Sequence, residues 1–122
     1  MSPNQSTNAA LNGIRVIDFS RIVAGPHCTM CLADFGADVI KVEDTGKGDD
    51  LRSHKPPHIK CDSPYFLSLN RNKRSISINM AEPDGQAVIH DLLATADVLV
   101  ENSFRESEAR RATRCMNPRR GC

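Results

Sequence analysis

A chain of 122 residues, 39% of them hydrophobic and with a formal net charge of +1, holds material for one small domain with a single core. No apolar run approaches the roughly 18 residues a membrane span needs. The first thirteen residues, "MSPNQSTNAALNG", contain no Lys or Arg, which argues against a secretory signal or a basic presequence and for a cytoplasmic protein. The charge is unevenly spread: residues 1–102 hold ten Lys plus Arg against thirteen Asp plus Glu, whereas residues 103–122 hold six Arg against two Glu.

Residues 1–12 read as a disordered leader. "GIRVIDFS" (13–20) places Ile14, Val16 and Ile17 in a short apolar run, the pattern of a buried strand. "AGPHCTMCLADFGA" (24–37) reads as a helix with Pro26 in its first turn, where a missing N–H costs nothing, and Gly36 as its stop. Cys28, Cys31, Leu32 and Phe35 share one face at helical spacing, the face expected to meet the core. "DVIKVE" (38–43) is a second strand, so a βαβ unit with parallel strands and a right-handed crossover is expected. A long connection rich in Gly, Pro and charge follows (44–64), in which "GDD" (48–50) reads as a loop or helix N-cap sooner than a cation ligand. "YFLSLNRNK" (65–73) suits a short helical turn, and "RSISINM" (74–80) a strand with Ile76 and Ile78 on one side. "EPDGQAVIHDLLATA" (82–96) has Pro83 near its start and an apolar stripe of Val88, Ile89, Leu92 and Leu93, and "DVLVE" (97–101) closes as a strand. The expected fold class is α/β: a partial doubly wound, Rossmann-like parallel sheet of about four strands over 13–102, with a disordered or helical basic tail over 103–122.

In such sheets ligands bind beyond the carboxyl ends of the strands, here Asp18 to Gly25, Glu43 to Gly48, Ile78 to Ala81, and Glu101 onward. The joint in "RIVAGPHCTM" (21–30) can offer backbone N–H groups and a helix N-terminus to an anion or nucleotide. Taken alone, a tight turn with Gly25 allowing close packing accounts for it better, and the G-x-G-x-x-G dinucleotide fingerprint is absent. "NRNKR" (70–74) makes Arg71, Lys73 and Arg74 candidate phosphate contacts, or a solvated charged face. The net-negative body offers no stripe for nucleic acid. The C-x-x-C of Cys28 and Cys31 lacks a second pair, and His27, His54, His58 and His90 are scattered, so no metal is expected.

Taken together, "LNGIRVIDFSRIVAGPHCTMCLADFGADVIKVE", "GKGDDLR", "YFLSLNRNKRSISIN" and "ADVLVEN", in that order, resemble the N-terminal segment of the class III CoA-transferases, from Leu11 to Asn102. The related α-methylacyl-CoA racemases share the first strand and helix but typically lack the long loop into "SLNRNKRS", so the transferase branch is closer. The resemblance implies that coenzyme A sits on the joint. Ile22, Val23 and Ala24 would lie against the adenosine, Ile78 and Asn79 would touch the nucleotide after the third strand, and Asn102 would close the site. Two positions depart from the family pattern. Asp44 stands where many members carry Arg, and Ala81 where many carry Lys, so phosphate-facing cations are missing.

The family moves CoA between acyl-CoA and a carboxylic acid, without a metal, through an Asp nucleophile that forms a mixed anhydride with the acyl group. None of Asp18, Asp34, Asp38, Asp44, Asp49, Asp50, Asp62, Asp84, Asp91 and Asp97 matches it, so no catalytic residue is assigned and the chain is expected to be inactive alone. Members form interlocked homodimers that need chain length absent here. After "VEN" the sequence "SFRESEARRATRCMNPRRGC" leaves the family pattern, as a frameshift or alternative splice junction would produce. Two readings result. The first is the CoA-binding part of a transferase. The second is a non-catalytic interaction protein whose Arg-rich tail engages an anionic partner.

Overall fold

The computed structural model describes residues 8–54, 57, 59–60 and 62–102, and the expectations for the first residues of the leader and for the basic tail lie outside them. The strands are β1 (Arg15–Asp18), β2 (Asp38–Glu43), β3 (Arg74–Ser77) and β4 (Val98–Val100). The helices are α1 (Ala24–Asp34), α2 (Pro64–Leu69) and α3 (Pro83–Ala94), with a 3-10 turn over Asp50–Ser53. All strand pairings are parallel and the sheet order is β3-β2-β1-β4.

Alternation along the two central strands sends apolar side chains to both faces, as a parallel sheet covered on both sides requires. Val16 and Val39 pack with Ala33 and Ala37 at α1 on one face. Ile17, Ile40 and Val42 pack with Ile78 and with Ile89 and Leu93 of α3 on the other. The chain therefore winds from β1 toward β3 under one helix layer and returns over the opposite layer to β4. The winding direction reverses between β1 and β4, and the fold is α/β and doubly wound, as expected.

Two features differ from the expected pattern. The buried face of α1 is Gly25, Pro26, Thr29, Met30 and Ala33, whereas Cys28 is exposed and Phe35 is 61% exposed. The reason is close approach. A Cβ on Gly25 would lie 2.1 Å from the Ser20 Cβ, so the helix start fits against the end of β1 only through small residues. Residues 8–12, read as leader, include Leu11, which packs on the Val16 and Val39 face and donates its N–H to the Phe35 carbonyl at 2.9 Å.

The long connection folds onto a small second core of Leu51, Phe66 and Leu69, with Val23 packed against it. Asp49 caps the 3-10 turn, accepting from the Leu51 N–H at 3.0 Å, which bears out the N-cap reading of "GDD". Ser63 caps α2, accepting from the Phe66 N–H at 3.0 Å and donating to the Leu51 carbonyl at 2.6 Å. The Arg52 guanidinium lies 3.8 Å from the Phe66 ring centre.

Candidate functional site

The carboxyl ends of the strands open a crevice lined by Phe19, Arg21, Glu43, Asp44, Gly48 and Met80, among others. Its wall beside the switch point is the β1–α1 joint, and the backbone there is held one peptide group after another. The Ser20 N–H donates to Asp18 Oδ1 at 2.9 Å, and the Ser20 carbonyl accepts from Lys41 Nζ at 2.8 Å. The Asn102 carboxamide grips Arg21 by both groups, accepting its N–H and donating to its carbonyl, each at 2.9 Å. The Ile22 N–H donates to the Asp49 carboxylate at 3.1 and 3.3 Å. Ile22 itself has φ 69°, the left-handed region, which a β-branched residue occupies at a cost of about 1–3 kcal/mol. Its side chain is left 48% exposed. The α1 N-cap, Val23, makes no side-chain cap hydrogen bond, so the helix start is uncapped, with Ala24 exposed at it.

Beneath this wall lie two buried ion pairs. Lys41 Nζ meets Asp49 Oδ2 at 2.9 Å with side chains 2% and 1% exposed. Lys73 Nζ meets Asp18 Oδ2 at 3.2 Å and also donates to the Pro26 carbonyl and to Asn70 Oδ1. Burial pushes the Lys73 ammonium below the usual lysine range, with Asp18 opposing the shift. Asp18 also accepts from the Thr29 hydroxyl at 2.5 Å and from the Ser20 hydroxyl. At the floor of the crevice burial works against ionised Glu43. The Arg52 guanidinium, the Asp49 N–H and the Ser75 hydroxyl overcome it and lower the group to about 2.

The expected site residues divide. Ile22, Ala24 and Asn102 are exposed together at the joint, while Val23 is half-buried against the second core. Ile78 is buried, and its N–H donates to the Glu43 carbonyl at 2.9 Å. Asn79 is exposed beyond β3, with its side chain accepting from the Ala81 N–H. A Cβ on Gly85 would lie 1.9 Å from the Asn79 carbonyl oxygen, so α3 abuts this strand end directly. The three expected phosphate contacts are not brought to the crevice. Arg71 pairs with Asp34 at the far end of α1, Arg74 pairs with Asp38 at the start of β2, and Lys73 is sealed under the joint. For the two arginines the physical reason is polarity, since β3 begins at Arg74 and they enter at the amino ends of the strands; the Lys73 ammonium reaches the other end but is taken by Asp18 and the Pro26 carbonyl. The exposed cations near the crevice are instead Arg21 and Lys47, both reaching Asp50, at 2.7 and 3.1 Å. The strand-end rule had marked both stretches, and the density of charge in "NRNKR" outweighed it.

The comparisons with known proteins come down on one family. The sequence model of CoA-transferase family III matches residues 11–114, and the chain belongs to that family. The matched stretch runs to residue 114, twelve residues past Asn102. Over 92 residues the chain is 52% identical to succinyl-CoA:glutarate CoA-transferase of Mus musculus, covering 75% of this chain and 21% of that protein. It is 53% identical over 93 residues to formyl-CoA:oxalate CoA-transferase of Rhodopseudomonas palustris strain TIE-1, covering 76% of this chain and 22% of that one. A solved CAIB/BAIF family protein from Brucella suis superposes with a TM-score of 0.74 at 41% identity, covering 79% of this chain and 26% of that one. The chain thus spans about a fifth of the length of these curated relatives. Among the described residues no helix is long and apolar enough to cross a membrane, and no group of three or more His, Cys, Asp or Glu is placed to hold a metal ion.

Proposed function

We propose that residues 13–102 form the coenzyme A-binding part of a class III CoA-transferase, with the nucleotide of CoA on the β1–α1 joint. The observation that carries this reading is the joint itself: an uncapped helix start and an exposed apolar Ile22 side by side at the topological switch point, clamped by Asn102 just beyond β4. The adenosine packs on Ile22 and Ala24, with the Asn79 strand end and Asn102 bordering it. The phosphates meet the Ala24 N–H at the helix start and the side chains of Arg21 and Lys47, which they draw from Asp50. Arg71, Lys73 and Arg74 stay with their carboxylates and act on the ligand only through the general field. Asp44, exposed on the crevice, sets a like charge near the phosphates and weakens the complex.

In the transfer reaction an Asp carboxylate attacks the thioester carbonyl, the C–S bond breaks and CoA leaves as thiolate, giving an aspartyl anhydride. CoA thiolate then attacks the aspartyl carbonyl, the donor acid leaves as its carboxylate and an enzyme-bound thioester forms. The acceptor carboxylate attacks that thioester and expels CoA thiolate, which attacks the acceptor's acyl carbonyl to give the new acyl-CoA and free the Asp. None of the aspartates of this chain takes the nucleophile's place, so the chain alone binds CoA without turning it over. Calorimetric titration of the full chain with CoA at low and high salt tests the reading. The expected result is weak binding that falls as salt rises. Absence of heat at low salt, or steady turnover of an acyl-CoA with a carboxylate acceptor, overturns it.

A further inference from the structure

Three residues in a row, Ser20 to Ile22, have backbone groups held by side chains from three different parts of the chain, and the last of them is left-handed at a β-branched residue. Backbone in so unfavourable a conformation persists only where its surroundings over-determine it, and it gathers at sites that need a fixed geometry. The acceptor for the Ile22 N–H is Asp49, which comes from the long connection and is 3% exposed. Its charge is balanced by Lys41, which projects from the middle of the sheet and reaches the Ser20 carbonyl with the same ammonium group. Both side chains are almost wholly buried in the inner wall of the crevice, Lys41 on the Ser20 carbonyl and Asp49 on the Ile22 N–H. One ion pair thus touches the joint at both ends of the Ser20–Ile22 stretch.

We infer that the buried Lys41–Asp49 pair is a positioning device for the CoA-binding joint, pinning Ser20 and Ile22 so that the Ile22 side chain is turned outward at the joint, beside the ligand crevice. The inference rests on the proposed CoA site for its ligand, but its structural half stands apart from that. A pair serving stability alone is replaceable by apolar side chains of similar size, because the desolvation of two charges offsets their attraction. A positioning pair is not replaceable in this way, since no apolar side chain accepts the Ile22 N–H.

The test is the double substitution Lys41→Met with Asp49→Leu in the full chain, read in two arms. The first follows amide hydrogen exchange residue by residue by NMR, without ligand. Ile22 is expected to exchange at least about tenfold faster in the variant, the scale of one lost hydrogen bond to a charged acceptor, while Val16, Ile17 and Ile40 keep their protection. The second is CoA titration, where the dissociation constant is expected to rise by about tenfold or more for a joint no longer preorganised. Unchanged Ile22 exchange overturns the inference whatever CoA does. Faster Ile22 exchange with unchanged CoA affinity also overturns it. If the unsubstituted chain binds no CoA, the proposed function falls and the exchange arm still decides whether the pair holds the joint. Should the double variant lose protection throughout the sheet, Asp49→Glu replaces it: the charge balance is kept and the acceptor moves by one methylene. The same selective loss at Ile22 is expected, and none overturns the inference.

Discussion

The two ends of the sheet carry similar numbers of charged side chains and use them differently. At the amino ends, Arg15 and Arg74 flank Asp38, and Arg71 meets Asp34, with the three guanidinium side chains 40 to 58% exposed. At the carboxyl ends the pairs Lys41–Asp49 and Lys73–Asp18 are almost wholly buried, and Glu43 is buried with Arg52 across it. The amino end is a solvated rim. The carboxyl end spends desolvation to fix backbone groups, those of Ser20, Ile22, Pro26 and Leu51 among them. Ion pairs that look alike in a contact map therefore differ in what their loss does.

The largest effect should come from splitting a buried pair at the carboxyl end. Lys41→Met alone strands the Asp49 carboxylate in a dry site, and removing one partner of a buried pair costs about 3–5 kcal/mol. That approaches the whole stability of a small domain, so the urea midpoint should collapse. A midpoint within error of the parent chain would show the pair to be better hydrated than its 2% and 1% exposure implies.

Acid should separate the two ends next. Glu43 is held at about 2 in the fold against an ordinary 4.5, so its ionised form stabilises the native state above the ordinary value. That stability is lost as pH falls from about 4.5 toward 2, and converts to on the order of 3 kcal/mol. Glu43→Gln should remove a large part of the pH dependence of urea unfolding in this window, the remainder belonging to Asp34 and Asp50, which Arg71 and Lys47 also hold below the ordinary carboxylate range. An undiminished acid transition in that variant would assign it to other carboxylates.

Much of this contrast was legible in the residues and part of it was not. The strand, helix, strand order, the parallel sheet and the four strand ends were readable because apolar runs in β1, β2 and β4 are short and bounded by turn residues. The face of α1 was misread, since weighing side chains by apolarity favours Phe35 and Leu32, whereas close approach at Gly25 favours Thr29 and Ala33. Lys41 lies inside "DVIKVE", where alternation says only that it shares a face with Val39 and Glu43. Its partner Asp49 is brought to it by a loop, and no local pattern announces that contact. The cations of "NRNKR" were legible as charge, but their place depends on which end of β3 they enter.

Packing at the two ends of a single element offers a smaller effect. Gly85→Ala should lower stability by about 1–3 kcal/mol, because the added methyl meets the Asn79 carbonyl and α3 must shift. Ala is the better helix former by about 1 kcal/mol, which offsets part of the cost. Thermal unfolding reads the balance. A rise in Tm would mean that the helix start moves freely and that the Asn79 strand end is not fixed by it.

The smallest effect belongs to the rim, in spite of its many hydrogen bonds. Arg74 places three contacts of 2.6 to 2.9 Å on Asp38, yet its side chain is 52% exposed. Exposed pairs contribute about 0–1 kcal/mol, because water already solvates both charges and ordering a long side chain costs entropy. Asp38 also keeps Arg15 as a second partner, so Arg74→Ala strands nothing. Its urea midpoint should move little, and less still at high salt. CoA affinity should stay within twofold of the parent chain, about the span of a screened, distant charge. Arg21→Ala, which also removes an exposed pair, should be equally mild for stability but should weaken CoA severalfold, because Arg21 stands on the crevice. Equal losses of CoA affinity from the two substitutions would put the phosphates within reach of both ends of the sheet, and the division between rim and crevice would fail.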